Sequence, residues 1–324
     1  MSQVDTNPFA LSDTNKRYHT YDYYLRKRFG HKVAKIPLDC GLSCPNIDGT
    51  VGFGGCIYCS GGSSWGQTRS VLPLEEQYKK GIAIMNAKWQ TNEYIPYLQA
   101  YTNTHTSPEN LEKILDQVSN FHGAVMIDVA TRADCLDNQK IEVINRISKK
   151  IPITVELGLQ TSNDETAKRI NRCHSLEVFK DAFCRLRQGA PSVKIGIHII
   201  NGLPGENDED MKNTATCVQK LHPDLLKIHL LHVIKGTPLA TLYELGRYTP
   251  LEKDEYVKIV CDQLEIMPPD VVIERVTGDG LADLLLAPLW SKKKVSVINE
   301  IDKELVKRDT CQGIFYKNDN FTKI

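Results

Sequence analysis

The chain has 324 residues, 40 basic and 40 acidic side chains with no formal net charge, 41% hydrophobic residues and ten cysteines. This balance is that of an ordinary globular protein and excludes collagen-like, disordered and coiled-coil classes, while the length suits one α/β barrel with extensions. No apolar run approaches the roughly 18 residues of a membrane span. Asp5, Asn7, Asp13 and Asn15 stand where a signal peptide needs an apolar core, so a cytosolic location is expected, with reduced thiols suited to metal or redox chemistry.

In chain order, a basic and aromatic segment comes first. Residues 16–35 set seven basic side chains against Asp22 alone, a net +6, with Tyr18, Tyr21, Tyr23 and Tyr24 interleaved. Two readings fit: a stacking and charge track for single-stranded RNA, or an amphipathic helix whose tyrosines pack inward and whose charges are solvated. A second basic knot, Lys292-Lys293-Lys294, follows Trp290. Apolar or β-branched runs then recur at 33–38, 95–101, 125–131, 153–159, 193–200, 225–231 and 271–276. Helical patterns separate most of them. Ser107-Pro108-Glu109 reads as a cap, a first-turn proline and an early acid ahead of Leu111, Ile114, Leu115 and Val118, and Ser162-Asn163-Asp164-Glu165 opens another helix. This alternation predicts a parallel sheet with helical crossovers. No Gly-x-Gly-x-x-Gly follows a strand, so a complete or partial (β/α) barrel is expected, with a doubly wound open sheet as the alternative.

A barrel places its chemistry at the C-terminal strand ends. Side-chain alternation sets Ile153, Val155, Leu157 and Leu159 against the helices and turns Glu156 and Gln160 inward. The same parity turns Lys194, Gly196 and His198 inward and aligns Lys227 with His229. His229 and His232 lie three apart, so on one strand they face opposite sides and are not expected to share an ion.

Cys40, Cys44, Cys56 and Cys59 fall in one glycine-rich loop, DCGLSCPNIDGTVGFGGCIYC, directly after the first strand. A structural zinc staple, Cys-x3-Cys-x11-Cys-x2-Cys, and an iron–sulfur cluster both fit the spacing. The loop's position at the active end of a barrel, and the flat ring of Tyr58 beside the last cysteine, favour iron.

Cys44-x11-Cys56-x2-Cys59 with Tyr58 resembles the cluster loop of radical S-adenosylmethionine (radical SAM) enzymes. The wider wording, CPNIDGT, GGCIYC, LQAYTNT, TRAD, ELGLQTSND, INRCH, HIINGLPGE, KIHLLHVIKGTPL and LLAPLW between residues 17 and 313, is similar to a bacterial branch that itself resembles the catalytic subunit of the elongator complex. The resemblance implies an α/β fold with a partial (β/α)6 barrel over residues 31–240, an N-terminal extension over 1–30 and a C-terminal extension over 241–324 packed on the barrel. It implies one [4Fe–4S] cluster on Cys44, Cys56 and Cys59, with one iron left for S-adenosylmethionine. Reductive cleavage of that cofactor gives a 5′-deoxyadenosyl radical, with electrons from a donor such as flavodoxin or ferredoxin. Cys40 is then a neighbouring thiol, because a fourth thiolate would block the open iron, and the six other cysteines are too scattered for a second cluster.

Carried over residue by residue, Tyr58, Thr102, Asn103, Gln160, Arg172 and His198 are expected to bind cofactor. Many relatives carry Gly-Gly-Glu where this chain has Tyr101-Thr102-Asn103-Thr104. Arginine suits a carboxylate through its planar fork. Relatives carry glutamate where this chain has Ala130, and Glu156 is expected to take over part of that role as a catalytic group, with His229 in the substrate or cofactor pocket. The implied substrate is tRNA, modified at C5 of a wobble uridine, with trimming of carboxymethylaminomethyl towards aminomethyl as one reaction among relatives. A small-molecule or tetrapyrrole substrate, and a zinc-stapled RNA-binding protein without catalysis, are the alternatives.

Overall fold

The computed structural model describes residues 7–60, 72–99, 101–278 and 283–317. The apolar runs become parallel strands β1 Ala34–Leu38, β2 Tyr94–Leu98, β3 Ile127–Thr131, β4 Ile153–Gln160, β5 Lys194–Asn201, β6 Leu225–Leu230 and β8 Val272–Arg275, paired in the order β1-β2-β3-β4-β5-β6-β8. A short antiparallel pair, β7 Val233–Ile234 with β9 Leu285–Ala287, lies beyond β6. The helices are α1 Tyr21–Phe29, α2 Leu74–Asn86, α3 Pro108–Ser119, α4 Asn138–Ser148, α5 Asp164–Arg169, α6 Leu176–Gly189, α7 Asp208–Leu221, α8 Pro238–Glu244, α9 Lys253–Ile266 and α10 Lys294–Lys307.

Among the described residues the strand order never reverses and no topological switch point forms, so the doubly wound alternative falls. The sheet is a curled partial barrel with β1 and β8 as its end strands. The seventh strand comes from the C-terminal third of the chain, and Thr20, just before α1, bridges in parallel to Ile273 on its far side.

Local chemistry explains the elements. Ser107 caps α3 by accepting from Asn110 N, and Leu111, Ile114, Leu115 and Val118 are all buried. Asn163 caps α5 with its carboxamide oxygen. On β4, Ile153, Val155, Leu157 and Leu159 are buried in the main core together with Phe179, Phe183 and Leu186 of α6. Each such side chain contributes about 1.5–3 kcal/mol through burial. The opposite parity turns polar groups into the barrel.

The basic N-terminal segment follows the packing-helix reading, with its charges paired and not merely solvated. Lys16 pairs with Asp302, Arg17 with Asp309 at 3.2 Å, Arg26 with Asp13 and Asp22 at 2.7 and 2.8 Å, and Lys32 with Asp22. Lys35 reaches into the barrel, 2.5 Å from Asp128. Tyr18 is buried in the core, and Lys27 and Arg28 lie over the rings of Tyr23 and Phe29. Five of the seven cations are thus already held by acids.

Because Leu157 is fully buried at the centre of the sheet, Leu157→Ala should cost about 2–5 kcal/mol. Urea unfolding checks this, and a loss below about 1 kcal/mol would contradict the packing described.

Candidate active site

The strand ends open onto a cavity of about 380 Å³ that runs from the cysteine loop down to the barrel interior. The loop is folded by its own backbone. Ile47 N and Asp48 N both donate to Cys44 O, at 2.8 and 3.1 Å, and Val51 N donates to Pro45 O at 2.8 Å. Gly54 and Gly55 take φ of 79° and 73°, a left-handed pair that only glycine adopts readily, and they deliver Cys56 back towards Cys44. Cys59 N then donates to Cys56 O at 2.9 Å. The loop is also pinned from outside, since Ile57 N donates to Ile170 O at 3.1 Å and Leu239 N donates to Ile57 O at 2.9 Å.

Cys44, Cys56 and Cys59 all line the cavity. Burial pushes the Cys56 thiol up to about 11; Arg132 opposes this, while Cys59 and Cys44 raise it further, so the three sulfurs lie within one another's field. Cys40 packs instead against the apolar core, and burial with Asp39 pushes its thiol up to about 12. Three sulfur donors at the cavity and a fourth outside it fit a cluster with an open iron. They do not fit the four-thiol zinc staple.

Tyr58 and Thr102 line the cavity as well, and Thr102 N donates to Ser43 O at 3.3 Å, tying the end of β2 to the cysteine loop. Asn103 is a clamp: its Nδ2 donates to Leu98 O and Ala130 O at 2.9 and 3.0 Å, joining β2 to β3. Gln160 exits β4 with φ 66° at a register shift against β5, and a Cβ at Gly158 would stand 2.8 Å from its Nε2. Non-glycine residues in this conformation concentrate where surrounding structure imposes them, typically at functional sites. Arg172 is fully buried at the cavity wall. Its guanidinium donates to the carbonyls of Leu159, Thr161 (2.7 Å) and His174 (2.9 Å), so it braces the end of β4.

Deeper in the barrel, Glu156 is the hub. It accepts from Lys227 Nζ at 2.6 Å, Tyr97 Oη at 2.7 Å, His198 Nε2 at 2.9 Å and Lys35 Nζ at 3.1 Å. Burial alone pushes its carboxyl up, but Lys227, Lys35 and His198 overcome this and hold it well below the usual range. Lys35 and Lys227 also reach Glu274, the latter at 3.0 Å. Asp128, Glu156 and Glu274 bring their oxygens within 4.8 Å of one another, a geometry that suits a cation, and the two ammonium groups supply it. Burial raises Asp128 to about 6 against the pull of Lys35.

His198 and His229 lie with ring centroids 5.3 Å apart, and burial lowers both, His229 well below the usual imidazole range. The expectation that His229 and His232 face opposite sides is corrected. Both line the cavity, and a Cβ at Gly278 would meet His232 Cε1 at 3.2 Å and His229 Nδ1 at 3.6 Å. The reason is that β6 ends at Leu230, where Leu231 N turns to Asn201 O and strand alternation stops.

Lys35, Tyr97, Asp128, Arg132 and Glu274 join the site without being among the expected site residues. The available signal was a lone polar residue inside a short apolar strand, as Lys35 in β1 and Asp128 in β3. Arg132 pairs with Asp134 at 2.6 Å, donates to Arg172 O at 2.9 Å and lies beside the thiols.

An incomplete parallel barrel carrying a three-thiol loop after its first strand, above a polar interior, defines an iron–sulfur enzyme. The chain belongs to the radical SAM superfamily: that family's description matches residues 50–218, and the Radical_SAM C-terminal domain matches residues 223–307. It is 42% identical to YtqA of Bacillus subtilis (strain 168), over 97% of each chain. It is 30% identical to a tRNA uridine(34) acetyltransferase of Dehalococcoides mccartyi (strain CBDB1), over 52% of this chain and 36% of that protein. The archaeal Methanocaldococcus infernus Elp3 with an N-terminal deletion shares the fold at a TM-score of 0.65 and 19% identity, over 90% of this chain and 68% of that one. The protein is therefore an enzyme that uses a [4Fe–4S] cluster and S-adenosylmethionine. No helix among the described residues is long and apolar enough to cross a membrane.

Cys56→Ala should abolish bound iron and sulfide after anaerobic reconstitution, whereas Cys40→Ala should retain both; iron loss in the Cys40 variant would contradict the ligand set. A pH effect follows from His229, which stays neutral in the fold and takes a proton near 6.5 when unfolded. Protonation then favours the unfolded chain, so stability falls as pH drops below about 6.5. Wild type should lose up to about 1.4 kcal/mol more per pH unit than His229→Gln in that window, by urea unfolding at pH 7, 6 and 5. Parallel profiles would contradict a buried neutral His229.

Proposed function

We propose that this radical SAM enzyme carries a single cluster, on Cys44, Cys56 and Cys59, and acts on tRNA at the C5 substituent of a wobble uridine, converting carboxymethylaminomethyl to aminomethyl. The conversion uses S-adenosylmethionine as the two-electron oxidant and, after addition of water, releases the two carbons as glyoxylate. The observation that carries the reading is the character of the inner cavity. Beneath the thiols its wall carries polar and ionic side chains, Tyr97, His198, Lys227, His229, His232 and Arg275. Such a wall suits a small substituent bearing an amine and a carboxylate. A cavity of about 380 Å³ leaves little room for a tetrapyrrole beside the cofactor. Wobble uridine as the target is supported by the similarity to tRNA uridine(34) acetyltransferases over half of this chain.

The cluster and S-adenosylmethionine, when bound, supply radical abstraction of a hydrogen atom, with electrons from a flavodoxin or ferredoxin. The chain's own residues position that chemistry. Tyr58, Thr102 and Gln160 face the cofactor space, while Asn103 and Arg172 fix the strand ends from which those groups project. His198, held by Glu156, lines the cavity and would present its ring to the cofactor when bound. Glu156, already accepting four hydrogen bonds, orients Tyr97, His198 and Lys227, and is not itself a proton acceptor. His229, neutral and at the cavity floor, offers a ring nitrogen to the substituent.

Nucleoside analysis of tRNA from a strain lacking the gene tests this. Carboxymethylaminomethyl-type uridines should accumulate and aminomethyl-type uridines should disappear, with rescue by wild type but not by Cys56→Ala. An unchanged wobble-uridine profile would overturn the tRNA reading.

A further inference from the structure

Asn46 lies two residues after Cys44 and is fully buried. A buried carboxamide is costly unless both ends are hydrogen-bonded, and this one is bonded at both. Its Nδ2 donates to Asn171 O and to Cys56 Sγ, the latter at 3.8 Å, and its Oδ1 accepts from the Cys173 thiol at 3.0 Å. Gly52 makes room for this contact, since a Cβ there would stand 2.4 Å from Asn46 Oδ1 and 2.9 Å from Cys173 Sγ.

The partners come from a strained segment. Asn171 and Cys173 both adopt left-handed φ, 55° and 65°, on either side of Arg172. The surrounding bonds impose this: Asn171 Nδ2 donates to Phe53 O and Gly55 O at 3.0 and 2.8 Å, and Arg172 is locked onto the end of β4. The knot therefore grips the cysteine loop from beneath and fixes the rotamer of Asn46. Neither Asn46 nor Cys173 lines the cavity, so neither contacts substrate or cofactor there.

The geometry points to Asn46 as a positioning residue that sets the reduction potential of the cluster, by holding an N–H on Cys56 Sγ, with Cys173 fixing its orientation. This rests on Cys56 as a cluster ligand. A reduced cluster carries one more negative charge, shared with its sulfurs, so a donor on sulfur stabilises the reduced state more than the oxidised one and raises the potential. The Cys173 thiol on Oδ1 polarises the carboxamide in the same sense.

The test is EPR-monitored potentiometric titration of the reconstituted full chain as wild type, Asn46→Leu, Cys173→Ala and Cys173→Ser. Asn46→Leu, at wild-type iron content, should be about tenfold harder to reduce, a shift of about −59 mV for one electron. Cys173→Ala should shift in the same direction by less, and Cys173→Ser, which keeps a donor on Oδ1, should match wild type. An unshifted Asn46→Leu with a full cluster would overturn the inference. If Asn46→Leu takes up no cluster, the Cys173 pair decides: a shift in Cys173→Ala alone supports it, and equal potentials in the pair overturn it. A wild type without a four-iron cluster would instead overturn the ligand reading beneath it.

Discussion

One buried charge organises this barrel. The Glu156 carboxylate sits near its centre, and removing such a group from water costs several kcal/mol unless donors replace the lost hydration. The replacements come from every side. Lys35 of β1, Tyr97 of β2, His198 of β5 and Lys227 of β6 bond to it directly, and Asp128 of β3 and Glu274 of β8 complete the charge balance around the two lysines. Each of the seven strands thus contributes one residue to a single network. Such networks add little net stability, but they penalise any register that leaves a member unpaired. A one-residue slip of β4 would turn Glu156 into the helix layer and Leu157 into the network.

The network also divides labour within the site. Ion pairs and hydrogen bonds hold the interior side chains in fixed rotamers, while backbone hydrogen bonds hold the cysteine loop above them. The two layers meet at the end of β4, where Gln160 turns through a left-handed conformation and Arg172 caps the carbonyls of Leu159 and Thr161. Positioning of this kind suits a radical reaction, in which the cofactor supplies the reactivity and the protein supplies orientation and exclusion of water.

Much of this was legible in the sequence because period-two alternation survives in short strands. The seven runs, the inward parity of Glu156 and His198, the alignment of Lys227 with His229, and the separation of Cys40 from the other three thiols match the structure. Lys194, expected inward with His198, instead sits exposed at the start of its strand and pairs with Asp224 at 2.7 Å. What was not legible depends on contacts distant in the chain. Composition counted residues 16–35 as a basic patch, yet Lys16 meets Asp302 and Arg17 meets Asp309, nearly three hundred residues away. His232 escaped the parity rule because the strand stops two residues before it. Nothing in CPNIDGT singles out Asn46, and its bond to Cys56 follows only once Asn171 and Cys173 are folded against it.

Three thiols over this interior would leave one iron open for S-adenosylmethionine. The most direct measurement is pulsed EPR of the reduced, reconstituted protein with S-adenosylmethionine carrying 15N at its amino group. An open iron should give a changed cluster signal with resolved coupling to that nitrogen, lost in Cys56→Ala together with the cluster. A cluster signal that the cofactor leaves unchanged would contradict it.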